Sequence, residues 1–238
     1  MGIPPVTPYR MPARTEWATD IAGWRVDPAR AALLIHDMQR FFVGFLPPGR
    51  SPTTELIGNT ARLRAAARAA GLPVVYSVQP ARMSRVERGL LHDFWGPGMA
   101  GRPGGSDVVD ELAPAADDHV VTKYRYSAFF GTRLAGLLAS LGRDQLVVCG
   151  VYAHLGCLLT AADAYARDIE TFLVADAIAD FGPRDHLAAL DYAARGCAVT
   201  ITTDRMLELL PPLSAASTRP ARRATSGRAS GRSGGGGS

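Results

Sequence analysis

Four polar features of this sequence stand where apolar runs end, and together they could form a site for an anionic substrate. Asp37, Gln79 and Lys123 each come at the end of such a run, and the block GVYAHLGC follows another at residues 150–157. A positioned carboxyl group can act as a general acid, and an ammonium group pairs with an anion. The residue types therefore point to a site for an anionic substrate.

The thiol of Cys157 offers a second chemistry, because this residue follows a strand-like run and opens a helix-like one. A helix N-terminus lowers a thiol pKa and favours a nucleophile. A small buried cysteine that packs a helix onto a sheet fits the same pattern. Periodicity leaves both alternatives open. Asp37 could likewise be an ordinary turn residue, and His36 and His154 could be ordinary hydrogen-bonded groups near a sheet edge.

The segments that must position these residues alternate between strand and helix. The apolar runs lack polar alternation, so we expect strands buried on both faces. Strands separated by helices predict one three-layer α/β domain, with six parallel strands and helices on both faces. Predicted strands lie at 31–36, 73–78, 120–123, 145–149, 171–175 and 198–202, and predicted helices at 53–70, 132–141, 158–167, 184–195 and 204–210.

This topology predicts one shared site. Ligands of open α/β sheets bind outside the carboxyl ends of the strands, so we expect Asp37, Gln79, Lys123 and the 150–157 block to converge. The stretch 79–107 is long and rich in Gly and Pro. Loops of that length in compact α/β domains are usually functional, so we expect a functional role for this stretch.

Composition excludes several other classes. The chain has 238 residues, 47% of them hydrophobic, which suits one sizeable domain. No run reaches the roughly 18 apolar residues of a membrane span, and the first residues have no apolar signal-peptide core, so we expect neither feature. Three cysteines without zinc-ligand spacing predict reduced thiols, no metal site and a cytoplasmic location.

The net charge of +4 comes from the end of the chain. Residues 211–238 hold five arginines, no acid and no aromatic residue, which leaves the preceding residues at −1. Nucleic-acid binding would need aromatics among basic residues on a folded face, so we expect no such partner. We predict a domain at 1–210 and a disordered tail at 211–238.

Several blocks of the sequence resemble the isochorismatase family, among them LLIHDMQRFF, TKYRYSAFF and RDQLVVCGVYAHLGC. The resemblance implies an isochorismatase-like fold, a homodimer and hydrolysis of a chorismate-derived vinyl ether without cofactor or covalent intermediate. The substrate it implies is 2-amino-2-deoxyisochorismate, cleaved to 2,3-dihydro-3-hydroxyanthranilate and pyruvate. Isochorismate is the alternative, and a Cys157-dependent amidase is a more distant one.

The resemblance also assigns roles to individual residues. Asp37 matches the family's general acid, and Lys123 stands beside it as the second catalytic residue. Cys157 lies one position after the slot of the nucleophilic cysteine in amidase relatives, which is Gly156 here. One residue turns a helical side chain by about 100°, so we expect the thiol to point away and Gly156 to make room for the substrate ring. The implied substrate-binding residues are Gln79, Arg88, Tyr152, Gly156, Phe42, Trp95, Tyr126 and Phe130.

Two further expectations concern the backbone. The resemblance implies a non-proline cis peptide bond just before Tyr152. Side chains alternate along a strand, so we expect His36 to point to the face opposite Asp37.

Overall fold

A computed structural model describes residues 2–100 and 102–212. Its centre is a six-stranded parallel sheet in the order β3-β2-β1-β4-β5-β6, which confirms the predicted class. Nearly all of the predicted tail lies outside the described residues. The strands are β1 Ala31–His36, β2 Val74–Val78, β3 His119–Thr122, β4 Gln145–Val151, β5 Glu170–Ala179 and β6 Val199–Ile201.

Helices cover both faces of the sheet, as predicted. Every residue of β1 and β4 is buried, because each face packs against its own apolar cluster. Leu33 and Ile35 belong to one cluster, whereas Ala32 and Leu34 belong to the other. The helices are α1 Arg40–Val43, α2 Thr53–Ala69, α3 Arg85–Arg88, α4 Leu91–Trp95, α5 Leu134–Ser140, α6 Leu158–Tyr165, α7 Pro183–Gly196 and α8 Thr203–Glu208.

Strand β5 runs four residues beyond the predicted end at residue 175. Asp176 lies within this strand, although a carboxylate is costly inside a sheet unless it is hydrogen-bonded. Its Oδ1 accepts hydrogen bonds from the backbone nitrogen of Thr203 at 2.6 Å and from its hydroxyl at 2.8 Å. The start of α8 therefore compensates the charge, and the strand continues to Ala179.

The long connection after β2 is not structureless. It contains α3 and α4, each of four or five residues. Ser84 and Glu87 form a reciprocal cap at the start of α3, with Ser84 N donating to Glu87 Oε2 at 2.7 Å. These two short helices lie above the carboxyl ends of the strands and help to enclose a pocket there.

Between residues 2 and 212, leaving aside residue 101, none of the helices has the length and apolar character needed to cross a membrane.

Candidate active site

Asp37 comes directly after β1, at the floor of the pocket. Its backbone has φ +50°, the left-handed region, which aspartate tolerates better than most residues. The carboxylate accepts hydrogen bonds from Ser77 Oγ at 3.2 Å and from Gln79 Nε2 at 3.4 Å. It also pairs with Lys123 Nζ at 2.8 Å. The predicted convergence of Asp37, Gln79 and Lys123 is thus present in the structure.

Lys123 is almost fully buried, at 1% exposure. Its ammonium group donates to the carbonyls of Arg125 at 2.9 Å and Tyr126 at 3.3 Å, besides pairing with Asp37. These partners match the three donors of an ammonium group. A buried ion pair persists only when such additional hydrogen bonds compensate its desolvation. The carbonyls therefore keep the charged pair in place.

Arg88 and Gln79 form the second polar side of the pocket. Arg88 Nη1 donates to Gln79 Oε1 at 3.1 Å, and Arg88 Nε donates to the Gly96 carbonyl at 3.0 Å. Burial lowers the pKa of Arg88 from its ordinary value. Within residues 2–100 and 102–212, its Nη2 donates no hydrogen bond, so that end of the guanidinium group can receive a substrate carboxylate.

Gln39 is a site residue that sequence reasoning missed. Its side chain is fully buried and clamps the backbone of Gln79. Gln39 Nε2 donates to the Gln79 carbonyl at 2.8 Å, and Gln79 N donates to Gln39 Oε1 at 2.8 Å. The only signal was its position two residues after Asp37.

The 150–157 block turns sharply after β4. The Val151–Tyr152 peptide bond is cis, as expected. Gly150 has φ +118°, and a Cβ atom there would lie 2.1 Å from the His36 carbonyl oxygen. Only glycine allows β1 and β4 to approach so closely at this point. Tyr152 then faces the pocket, and its hydroxyl donates to the Phe42 carbonyl at 2.7 Å.

His36 does not point away from Asp37, so that prediction was wrong. Its Nδ1 lies 3.9 Å from Asp37 Oδ2 and 2.9 Å from the Val151 carbonyl oxygen. The positive φ of Asp37 breaks the alternation on which the prediction depended. The ring lies behind Gly156, where a Cβ atom would come within 2.1 Å of His36 Cε1. The space that Gly156 leaves is filled by this imidazole, and not by a substrate ring as expected.

Cys157 is fully buried and is not among the pocket residues. Burial raises the pKa of its thiol well above the ordinary value. The thiol is therefore protonated at neutral pH, which opposes a nucleophilic role. Of the two alternatives left open by the sequence, the structure supports the packing residue.

An aromatic wall completes the pocket. Trp95 Nε1 donates to the Tyr126 hydroxyl at 2.5 Å. The centroid of the Phe181 ring lies 4.5 Å from that of Tyr152 and 5.6 Å from that of Trp95. The predicted residues brought together here are Asp37, Phe42, Gln79, Arg88, Trp95, Lys123, Tyr126, Tyr152 and Gly156. Residues that sequence reasoning missed are Ile3, Leu91, Val151, Leu155 and Phe181.

Phe130 lies outside the pocket, and its predicted role is corrected. Its side chain is 62% exposed and borders a separate surface depression with Tyr124 and Gly131. The neighbouring Phe129 takes the inward position, at 4% exposure. The Ala128 N–H, which donates to Thr160 Oγ1 at 3.0 Å, fixes this register.

Comparison with known proteins agrees with this geometry. The isochorismatase domain family matches residues 31–205. The phenazine biosynthesis protein PhzD of Pseudomonas fluorescens is 50% identical over 206 residues, which cover 87% of this chain and 99% of that protein. The isochorismatase of Bacillus subtilis (strain 168) is 47% identical over 210 residues, which cover 88% of this chain and 67% of that protein. A cysteine hydrolase from Pseudomonas syringae pv. phaseolicola 1448A has a similar fold, with a TM-score of 0.71, 26% identity, and coverage of 79% of this chain and 95% of its own.

Proposed function

The chain belongs to the isochorismatase family of hydrolases, and we propose that it hydrolyses the enolpyruvyl ether of 2-amino-2-deoxyisochorismate to 2,3-dihydro-3-hydroxyanthranilate and pyruvate. The observation that carries the proposal is the buried pair of Asp37 and Lys123 at the floor of the pocket. The 50% identity with a phenazine biosynthesis protein over nearly all of its length supports this substrate.

The reaction needs one acid and one water molecule. In our proposal the substrate carboxylates pair with Lys123 and release Asp37 from its ion pair, so that Asp37 takes up a proton from solvent as the complex forms. The carboxyl group of Asp37 then gives this proton to the methylene carbon of the enolpyruvyl group, which forms an oxocarbenium ion. Water then adds to the cationic carbon. The added water gives one proton back to the Asp37 carboxylate, which leaves a neutral hemiketal. The hydroxyl proton of the hemiketal then passes to the ring oxygen as the bond between that oxygen and the hemiketal carbon breaks, which releases pyruvate and leaves the ring hydroxyl. A single positioned acid is worth about 10²–10⁴-fold in rate.

Lys123 has two tasks in this mechanism. Its ammonium group lies 2.8 Å from Asp37 Oδ2 and stabilises the carboxylate that remains after proton transfer. Together with Arg88 it supplies two cations to a pocket whose one acidic lining residue, among those described, is Asp37. That balance favours a substrate with more than one carboxylate.

The aromatic wall suits an unsaturated ring and limits the entry of water. The ring of Phe181 packs against those of Tyr152 and Trp95 at tilted angles of 53° and 56°, and Leu91 and Leu155 also line the pocket. A cavity that is mostly apolar strengthens the electrostatic interactions inside it.

Isochorismate is the second candidate substrate, and the 47% identity with an isochorismatase favours it. Both substrates carry the same enolpyruvyl ether, so the same acid would act on either. A thiol-dependent amidase has no comparable support, because Cys157 is buried outside the pocket.

We also propose a homodimer in the cytoplasm. Val86 on α3, Leu90 in the link between the helices and Phe94 on α4 form an apolar surface, with exposed fractions of 87%, 78% and 64%. An exposed apolar patch of this kind favours a protein contact. The three cysteines are free thiols, which suits a reducing compartment. Residues 1–210 would form the hydrolase domain, with 211–238 as a dispensable tail.

The test is to offer both substrates to the purified protein and to measure pyruvate with a coupled lactate dehydrogenase assay. We expect release from both and a higher kcat/KM for the amino substrate. A Cys157→Ala variant is the matched control and should turn over at a similar rate. If the folded protein released pyruvate from neither substrate, the proposal would be refuted.

A further inference from the structure

We propose that His36 is a positioning residue for this hydrolysis: its imidazole fills the volume behind Gly156 and packs between the β4 turn and the segment that holds Lys123. The role in catalysis rests on the proposed function. The packing relation between positions 36 and 156 does not, and it can be tested separately.

The first step is steric. Ideal Cβ positions on Gly156 lie 2.1 Å from His36 Cε1, 2.8 Å from Nδ1 and 3.0 Å from Nε2. All three distances are too short for a carbon contact, so no residue other than glycine fits while the imidazole is in place. The ring is fully buried and its backbone is a central strand between β2 and β4. It can therefore move aside only by displacing the groups packed around it.

The second step is the set of polar contacts around the ring. Nδ1 lies 2.9 Å from the Val151 carbonyl oxygen, and Nε2 lies 3.3 Å from that of Tyr126. Lys123 Nζ donates to the same Tyr126 carbonyl at 3.3 Å. The imidazole thus contacts two of the segments that line the pocket, next to the ion pair of Asp37 and Lys123.

The third step concerns protonation. Burial, opposed by the neighbouring Asp37 and assisted by Lys123, lowers the pKa of His36 to about 4. The neutral ring carries one N–H, and the shorter contact assigns that proton to Nδ1, which donates to Val151. The ring is not among the pocket residues. It therefore holds the substrate-facing backbone in position and does not itself reach substrate.

Together these steps explain why position 156 has no side chain. The missing Cβ atom of Gly156 makes room for the imidazole, and the imidazole in turn supports the turn of which Gly156 is part. A reactive side chain at 156 would need a smaller residue at 36. The residues at positions 36 and 156 are therefore coupled. Histidine at 36 requires glycine at 156, and a side chain at 156 requires a smaller residue at 36.

A double-mutant cycle tests this coupling. Gly156→Ala should lower kcat about 10²-fold, because the displaced ring shifts Asp37 or the turn by a sizeable fraction of an ångström. In a His36→Ala background the same change should cost less than about twofold, since the clash is gone. Gly136→Ala, in the exposed part of α5 where a Cβ atom meets nothing within 4 Å, is the matched control and should leave kcat unchanged.

Two further readouts separate positioning from simple stability. His36→Ala should lower kcat much more than it changes KM, because the ring does not contact the pocket. His36→Asn keeps an amide donor near Nδ1 and should recover about tenfold of the kcat lost in His36→Ala, as one retained hydrogen bond would. The same cycle measured by chemical denaturation needs no substrate, so it remains informative if neither substrate releases pyruvate.

Equal losses from Gly156→Ala in both backgrounds, in kcat and in the denaturation midpoint, would overturn the coupling. A wild-type kcat in folded His36→Ala would overturn the positioning role. Lack of pyruvate release by the wild-type protein, with the coupling present in denaturation, would refute the proposed function and leave the packing relation intact.

Discussion

Replacing Asp37 by Asn should separate what this carboxylate does for catalysis from what it does for folding. Asp37 and Lys123 are 4% and 1% exposed and lie 2.8 Å apart. At an effective dielectric constant of 20, two unit charges at that distance attract by about 6 kcal/mol. Asp37→Asn removes the attraction and leaves the Lys123 charge buried.

The net cost to stability is smaller than the gross attraction, because Lys123 retains the Arg125 and Tyr126 carbonyls as acceptors. Removing one partner of a buried pair typically costs 3–5 kcal/mol, which for a domain of this size corresponds to a fall in Tm of about 6–20 °C. Replacing both partners by uncharged residues of similar volume is often neutral. We therefore expect Asp37→Asn/Lys123→Met to regain most of the lost Tm.

Turnover should behave differently. Both variants lack the acid, so kcat for pyruvate release should stay at least about 10²-fold below that of the wild type in each. The assay is steady-state pyruvate release at a temperature at which all three proteins are folded, next to thermal unfolding of the same samples. Near-normal kcat in Asp37→Asn would refute the assignment of the acid. A double variant as unstable as the single one would refute the electrostatic account of the pair.

Three further outcomes follow from the same structure. Cys157→Ala should keep kcat within about twofold, whereas a nucleophilic thiol would lose several orders of magnitude; pyruvate release measures this. The pKa of His36 in the folded state is depressed to about 4, so as pH falls the unfolded state binds the proton before the folded state does. The wild type should therefore lose up to about 3 kcal/mol of unfolding free energy as pH falls from about 6.5 to 4. His36→Asn lacks this group, so the difference between the two unfolding free energies should shrink over that window; an unchanged difference would contradict the cause. Truncation after residue 210 should leave turnover unchanged, and a loss in a folded product would mean that residues 211–238 contribute to the site.

The sheet could be predicted from sequence because each strand carries its own signal. Apolar runs such as 145–149 lack polar alternation, and such continuous runs are typical of strands that are buried on both faces. The pocket position followed from the topology, since parallel strands bring Asp37, Gln79 and Lys123 to one edge. Helices α3 and α4 were not predicted, because helices of four or five residues depend on tertiary contacts more than on local propensity.

The pocket residues that were missed share a different cause. Ile3 and Phe181 lie far from the other site residues in sequence, and no local pattern marks an apolar residue that reaches a pocket through long-range packing. Phe130 was misplaced for a related reason. Of the two adjacent phenylalanines, the sequence does not say which faces inward, whereas the hydrogen bond from Ala128 to Thr160 decides it in favour of Phe129.

The orientation of His36 is the most informative failure, because the rule used was correct and its premise was not. Side chains alternate only while the backbone stays extended, and the chain leaves the extended region at Asp37, with φ +50°. That conformation costs free energy for a residue with a side chain, and it persists where surrounding contacts compensate. Here Asp37 N donates to the Ser77 carbonyl at 3.0 Å and its carboxylate pairs with Lys123. The same backbone turn that presents the acid to the pocket therefore brings the imidazole beneath it, and the need for glycine at 156 follows from the way the acid is held.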